Sequence, residues 1–171
     1  MPNWCNNHLE FKCNKADFDK FRLHELQFKN ILPCPEELTA CSAPNSDNPE
    51  DMISKYGCSD WYNWCIQNWG CKWDIEPSES VYSEENGIVS GTVAFETAWC
   101  PPIELYKYME ELGIMINATF FEGGMCFFGS YCEGSEDTSN FESYDDIPED
   151  IAETFGIKEH DYESDESDIV I

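Results

Sequence analysis

The hydrophobic period of this chain changes several times along its length, and the order of these changes limits the folds that it can adopt. Residues 4–13 alternate, with Leu9 and Phe11 on one face and Glu10 and Lys12 on the other, which predicts a half-buried strand. Residues 16–26 change to a helical period. Residues 30–57 contain four prolines and many Asn and Ser residues, which predicts a loop-rich insertion.

The segment DWYNWCIQNWGCKWD, residues 60–74, contains four tryptophans and a tyrosine. Its apolar side chains cover a wide arc of a helical wheel, which predicts a helix with Ser59 as N-cap and Gly70 just beyond its end. Residues 71–76 then alternate as a strand does. Aromatic sites that stack on nucleic acids are interleaved with Arg and Lys, and here only two lysines are near. We therefore interpret the tryptophans as part of the core.

The remaining elements complete an α+β order. Asn86-Gly87 is typical of a tight turn between two strands within residues 81–99. A helix is predicted over residues 103–112, and two further strands over residues 114–122 and 125–133. Without the insertion and the last strand, the order is β-α-β-β-α-β, which is the ferredoxin-like plan. We expect a ferredoxin-like sheet with an inserted Trp-rich helix, an extra strand and an acidic C-terminal extension.

Composition divides the chain into two parts. Residues 1–134 are predicted to form the ferredoxin-like domain, with the insertion at about 30–70. Residues 135–171 are predicted to form the acidic extension, with a short helix near 147–155. Between residues 130 and 171 there are fifteen acids and one lysine. The whole chain has 35 acids and 9 basic residues, a net charge of −26.

This charge decides which partners are compatible with the chain. A protein that binds nucleic acid must neutralise phosphates with Lys and Arg, so direct binding of nucleic acid is excluded. Anionic membranes are excluded for the same reason, and no apolar run reaches the length of a membrane span. The charge favours a basic partner. The number of chains in the assembly stays open.

The ten cysteines include no C-x-x-C pair, which a zinc ribbon or finger normally has. The N-terminus lacks the basic and apolar regions of a signal peptide. We therefore expect reduced, mostly buried thiols in a cytoplasmic protein, with no metal and no cofactor.

Four separated segments resemble one family in their order along the chain. They are MPNWCNN, YGCSDWYNWCIQNWGCKWD, FETAWCPP and FFEGGMCFFGSYCEG, which together span roughly residues 1–134. These segments resemble the YubB-like proteins of phages and plasmids. The resemblance implies a ferredoxin-like fold and an origin in a mobile element. It implies no activity and no catalytic residues.

The acidic residues near the C-terminus are the predicted binding site. Acids spaced regularly along a strand or a helix imitate the line of phosphates on a nucleic-acid strand. The predicted partner-binding residues are Glu133, Glu136, Asp137, Glu142, Asp145, Asp146, Glu149, Asp150, Glu153, Asp161, Glu163, Asp165, Glu166 and Asp168. The expected function is a non-enzymatic inhibitor that blocks the basic nucleic-acid site of a host defence complex, a CRISPR effector or a restriction enzyme. It would act in the cytoplasm of the infected or plasmid-bearing cell.

Two alternatives stay open. One is a small ligand-binding module or enzyme that uses the sheet face near Asn6 and His8, or an N-terminal proline amine at Pro2. No convincing pairing of Cys with His supports a nucleophilic enzyme, and we assign no catalytic residue. The other alternative is a weak divalent-cation binder, although the D-x-D-x-D-G spacing of a calcium loop is missing.

Overall fold

The computed structural model of the chain describes residues 3–40 and 49–157. Within these ranges the protein is an α+β structure built on one six-stranded antiparallel sheet. Its elements are β1 (Trp4–Asn14), α1 (Lys15–Lys20), β2 (Glu25–Leu26), α2 (Phe28–Ile31), α3 (Glu36–Thr39), α4 (Pro49–Tyr56), α5 (Trp61–Asn68), β3 (Ser78–Glu79), β4 (Val81–Glu85), β5 (Ile88–Ala98), α6 (Ile103–Glu111), β6 (Met115–Glu122), β7 (Phe127–Cys132), β8 (Ser135–Asn140), a single 3₁₀ turn (Tyr144–Asp146) and α7 (Glu149–Phe155).

The strands of the large sheet lie in the order β4-β5-β1-β6-β7-β8, and every neighbouring pair is antiparallel. Strand β1 lies inside the sheet and pairs with β5 on one side and β6 on the other. Strands β2 and β3 form a separate two-stranded ribbon. The predicted turn Asn86-Gly87 joins β4 to β5, and both of its residues have positive φ, as a tight hairpin turn requires.

One face of the sheet, called here the inner face, carries the main core. Leu9 of β1 lies opposite Val93 of β5 and Ala118 of β6, and all three side chains are buried. Helix α6 packs on this face with Leu105 and Met109 buried, and it ends before Gly113, whose φ is +84°. The alternation predicted from residues 4–13 is therefore confirmed, because every second residue of β1 contributes to this core.

The Trp-rich helix α5 is buried on one side only. Trp64, Cys65 and Trp69 belong to the main core, and the indole N–H of Trp69 donates to the carbonyl of Leu32 at 2.9 Å. Tyr62 and Ile66 are exposed, so the apolar arc is narrower than predicted. The interpretation of the tryptophans as core is correct for Trp64 and Trp69.

The ends of α5 depend on two residues. The N-cap is Asp60 rather than the predicted Ser59, because an Asp60 carboxylate oxygen accepts the backbone N–H of Asn63 at 3.0 Å. Gly70 follows the helix as predicted, with φ of +88°. A Cβ at Gly70 would lie 3.0 Å from the backbone nitrogen of Ile103, so this position needs glycine for both conformation and space.

The strand predicted over residues 71–76 is wrong. Asp74 accepts the backbone N–H of Phe28 at 2.7 Å and that of Ile75 at 2.9 Å. The Asp74 side chain thereby caps the start of α2 and bends its own segment. Residues 71–76 therefore form no strand. The predicted alternation of buried and exposed side chains holds only in part, since Cys71 is buried whereas Trp73 is exposed.

Other differences from the predicted elements follow from short-range interactions. The helix predicted over residues 16–26 ends at Lys20, because Arg22 adopts a positive φ of 53° and β2 begins at Glu25. The insertion contains α2, α3 and α4 in addition to loops. Strand β8 was not predicted, because its sequence SEDTSN has no apolar alternation and all six residues are exposed. Among the described residues, no helix is long and apolar enough to cross a membrane.

Asp60 is expected to stabilise the fold in a pH-dependent way. Burial by itself raises the pKa of Asp60, but hydrogen bonds from the N–H of Asn63 and from the side chains of Ser59 and Asn63 lower it below its usual value. The carboxylate therefore contributes stability above the pKa of the unfolded chain. This contribution is lost as the pH falls through the folded-state pKa.

We predict that Asp60→Ala lowers the free energy of unfolding by about 1–2 kcal/mol at neutral pH, because the N-cap is lost. Asp60→Asn keeps an oxygen at the cap and loses the charge. Its deficit against the wild type should shrink between about pH 5 and about pH 2, measured by urea denaturation. The exposed Asp145→Asn variant is the control. A deficit of Asp60→Asn that stays constant across this range would contradict the assignment.

Candidate partner-binding surface

The predicted acidic residues that the structure describes are all exposed. They are Glu133, Glu136, Asp137, Glu142, Asp145, Asp146, Glu149, Asp150 and Glu153, and together they are called here the acidic surface. The predicted residues Asp161, Glu163, Asp165, Glu166 and Asp168 lie outside the described residues.

No basic residue lies within the span of the acidic surface, and none of the ion pairs in the described chain includes it. Residues 133–157 contain no Lys, Arg or His. In the described ranges, the ion pairs join Lys15 to Asp19, Arg22 to Glu25, Lys55 to Glu37 and Asp51, and Lys107 to Glu104. None of these pairs includes a residue of the acidic surface. The surface therefore presents uncompensated negative charge to a partner.

Strand β8 attaches the first part of the acidic surface to the sheet. The turn between β7 and β8 is formed by Glu133 and Gly134, both with positive φ. Strand β8 pairs with β7 along its six residues, so that Glu136 lies opposite Tyr131 and Asp137 opposite Ser130. Because neighbouring residues of a strand point to opposite faces, these two carboxylates border both faces of the sheet edge.

A second apolar cluster holds the rest of the acidic surface on the outer face of the sheet. Phe121 of β6 and Phe128 of β7 lie opposite each other on this face. Phe141 stacks on both rings, with centroid distances of 5.7 Å to Phe121 and 6.4 Å to Phe128. Ile147 and Ile151 are buried in the same cluster. Residues 141–157 are thereby packed against the sheet by their apolar side chains, while their acids face solvent.

Local hydrogen bonds fix the backbone between these apolar anchors. The Asp146 carboxylate accepts the N–H of Glu142 at 3.1 Å and that of Ser143 at 3.0 Å, in a capping box around the 3₁₀ turn. Helix α7 follows and ends at Gly156, whose φ is +65°. Its residues Glu149 and Glu153 are one helical turn apart and both exposed.

The structure does not bring the candidate enzymatic residues together. Cys5 is buried in the main core, and burial raises the pKa of its thiol. His8 lies three residues further along β1, so its side chain points to the outer face. His24 is exposed and contacts the ring of Phe18. Pro2 and His160 lie outside the described residues. Within the described part of the chain, no cysteine thiol is hydrogen-bonded to a histidine.

A groove of about 720 Å³ lies on the outer face of the sheet, at the end remote from the second apolar cluster. Its polar lining includes Glu10, Lys12 and Asn117, and the amide of Asn117 donates to Glu10 at 3.1 Å. Val81, Tyr82 and Met115 are its exposed apolar and aromatic residues. The sequence predicted a possible ligand site on the sheet face near Asn6 and His8. Neither of these residues lines the groove.

The described cysteines are all free thiols. Burial raises the pKa of Cys34 to about 11 and that of Cys65 to about 12, so these thiols are poor nucleophiles at neutral pH. Cys126 and Cys132 are exposed. Across residues 3–40 and 49–157, no group of three or more His, Cys, Asp or Glu side chains is arranged to hold a metal ion.

Comparison with known proteins returns no match. The sequence matches no family model and no curated protein, and the fold matches no solved structure. The function is therefore inferred from the charge, burial and geometry of the chain itself.

We predict that Phe141→Ala releases the acidic segment from the sheet. The stacking with Phe121 and Phe128 is lost and a cavity remains, so the free energy of unfolding should fall by about 3 kcal/mol. Amide hydrogen exchange of residues 142–157 should accelerate more than that of β1. Met125→Ala, which truncates an exposed side chain, is the control. Uniform acceleration over the whole sheet would show that the cluster is not a separate anchor.

We also predict two classes of thiol reactivity, tested in a Cys41→Ser background because Cys41 lies outside the described residues. Exposed Cys126 and Cys132 should react rapidly with a disulfide reagent. Buried Cys5 and Cys71, whose pKa values burial raises, should react only on unfolding. Replacing Cys126 and Cys132 with Ser should remove the rapid phase. A rapid phase that persists would contradict the full or partial burial of the remaining described thiols.

Proposed function

We propose that the protein is a non-enzymatic inhibitor whose acidic surface occupies the nucleic-acid-binding site of a basic host defence complex. A CRISPR effector or a restriction enzyme is such a target. The observation that best supports this function is the arrangement of residues 133–153. Nine carboxylates are exposed there without one basic residue, on a backbone that β8 and the second apolar cluster attach to the sheet.

Attachment to the sheet matters because ordering a segment on binding costs conformational entropy. An acidic tail that orders only on contact loses part of its electrostatic attraction to that cost. Here the acids of β8, of the 3₁₀ turn and of α7 are already placed. In α7, Glu149 and Glu153 are separated by a rise of about 6 Å, close to two phosphate steps of about 3.4 Å along one nucleic-acid strand.

The ferredoxin-like plan and the resemblance to the YubB-like proteins are part of this proposal. The strand order supports the plan, because β4, β5, β1 and β6 lie side by side in the arrangement that two interleaved β-α-β units produce. An origin in a phage or plasmid would place the protein in the cytoplasm of a host cell, together with its defence complexes. The division at residue 134 remains a prediction, and β8 is hydrogen-bonded to β7 across it.

The proposal predicts competition with nucleic acid that depends on the position of the acids. The wild-type protein should displace labelled DNA or RNA from purified CRISPR effectors or restriction enzymes, and displacement should weaken as salt rises from about 50 mM to about 300 mM. A variant that neutralises five acids of the acidic surface should compete at least about tenfold less well. Its substitutions are Glu136→Gln, Asp137→Asn, Glu149→Gln, Asp150→Asn and Glu153→Gln.

The matched control removes five exposed acids from other parts of the chain and has the same net charge. Its substitutions are Glu50→Gln, Glu79→Gln, Glu84→Gln, Glu85→Gln and Glu111→Gln. It should compete like the wild type. An equal loss in both variants would show that net charge, rather than the acidic surface, causes the effect. Failure of the wild type to displace nucleic acid from any complex of such a panel would refute the proposal.

The groove on the outer sheet face favours a second candidate function, the binding of a small ligand. Its volume of about 720 Å³ is within the range of small-molecule sites, and Lys12, Glu10 and Asn117 provide polar groups. A ligand screen by thermal denaturation tests it. Ser90→Trp, which fills the groove, should abolish any ligand-dependent rise in Tm. The five-acid variant of the acidic surface should retain it.

A further inference from the structure

A separate cleft of about 580 Å³ lies beside the end of β5, between this strand and residues 73–78. It is called here the edge cleft. Trp4 and Trp73 provide its large aromatic surfaces, and Glu76 and Glu96 provide carboxylates. The acidic surface borders β7 and β8, whereas the edge cleft borders β5, with β1 and β6 between them. The two sites therefore do not overlap.

Within the described residues, β3 lies near the edge of β5 that faces this cleft, but no strand is hydrogen-bonded to that edge. Strand β4 pairs with β5 only as far as Thr92, whereas β1 pairs with β5 as far as Ala98. The backbone N–H of Trp99 donates to the carbonyl of Asn3 on the β1 side. Because the direction of backbone groups alternates, those of Ala94, Glu96 and Ala98 point to the other side, toward the edge cleft. Such an edge is a template for an additional strand.

The tryptophans of the edge cleft are unusually exposed for residues of their size. Trp4 is 47% exposed and Trp73 is 39% exposed. Trp73 already makes one cation–π contact, since the ammonium of Lys72 lies 4.3 Å from the centroid of its ring. Lys72 lines a smaller pocket on one side of Trp73 and does not line the edge cleft. Trp73 thus lines both the smaller pocket, which it shares with Lys72, and the edge cleft, which Lys72 does not line.

The carboxylates of the cleft differ in their availability. Asp74 is engaged by the backbone N–H groups of Phe28, Lys29 and Ile75. Glu76 and Glu96 are exposed, and within the described chain their carboxylates have neither an ion pair nor a hydrogen bond. No Lys, Arg or His lines the cleft. Two tryptophan faces and two unpaired carboxylates form a site complementary to an organic cation.

We propose that the edge cleft binds an arginine or lysine side chain of an extended basic peptide, which adds as a strand to the free edge of β5. The cation would lie against Trp73 and Trp4 and pair with Glu76 and Glu96. Main-chain hydrogen bonds to Ala94, Glu96 and Ala98 would hold the peptide in register. The proposal assigns a second contact for a basic protein partner, and its test needs only the purified chain and a synthetic peptide. Its outcome is thus separate from competition with nucleic acid.

The test is a titration of the full chain with an acetylated and amidated peptide, Ala-Thr-Ala-Arg-Ala-Thr-Ala, followed by tryptophan fluorescence and calorimetry. We expect saturable binding. The peptide with citrulline in place of Arg keeps the shape and loses the charge, and it should bind at least about tenfold more weakly. A peptide with alternate backbone N-methyl groups should also bind about tenfold more weakly, because strand pairing is blocked.

Variants of the chain locate the site. Trp73→Ala and Glu96→Gln should each weaken binding by about three- to tenfold. Trp99→Ala and Glu85→Gln, which alter an exposed tryptophan and an exposed acid outside the cleft, should leave it unchanged. Glu96→Gln changes an exposed side chain, so its result does not depend on the folding of Trp73→Ala, and circular dichroism checks both.

Equal affinity for the arginine and citrulline peptides, or no effect of Glu96→Gln and Trp73→Ala, would overturn the cation site. Equal affinity for the N-methylated peptide would overturn the strand pairing.

Discussion

Strand β1 pairs with β5 along one side and with β6 along the other, and the position of every other layer follows from this double pairing. Alternation along β1 directs Leu9 to the inner face, where the helices pack, and directs its neighbours Glu10 and His8 to the outer face. Since a slip of one residue would exchange these two faces, the burial of Leu9 against Val93 and Ala118 also sets the register of the whole sheet.

Three structural features lie along the outer face of the sheet and its edge. At one end Phe121 and Phe128 receive the second apolar cluster and, with it, the acidic segment. At the other end lies a groove with Glu10, Lys12 and Asn117 among its lining residues. Beside β5, where β4 has ended, the edge cleft is exposed. A chain of net charge −26 repels itself, and packing residues 141–157 onto an apolar patch fixes this segment while its acids stay in water.

The acidic surface and the edge cleft are both complementary to a basic partner, but through different kinds of interaction. The acidic surface acts at long range, so it favours fast encounter with any basic protein and weakens with salt. In the proposed complex the edge cleft would act at contact, through ring faces and main-chain hydrogen bonds, which depend on the shape and register of the partner. A basic partner that satisfied both would be distinguished from one that is merely positively charged.

The sequence by itself determined the strands and helices whose apolar period is strong, such as β1, β5 and α6, and the exposure of acids in a region without bases. It determined these because period and charge are local properties of the chain. Only the tertiary structure decided that Asp74 bends residues 71–76 by capping α2, and that SEDTSN becomes β8 by pairing with β7. It also decided that the pairing of β4 with β5 stops at Thr92 of β5 and leaves the edge cleft beside Trp4 and Trp73. The cap by Asp74 depends on a group distant in sequence, β8 depends on its partner strand rather than on an apolar period of its own, and the cleft depends on where strand pairing stops. No local pattern records these conditions.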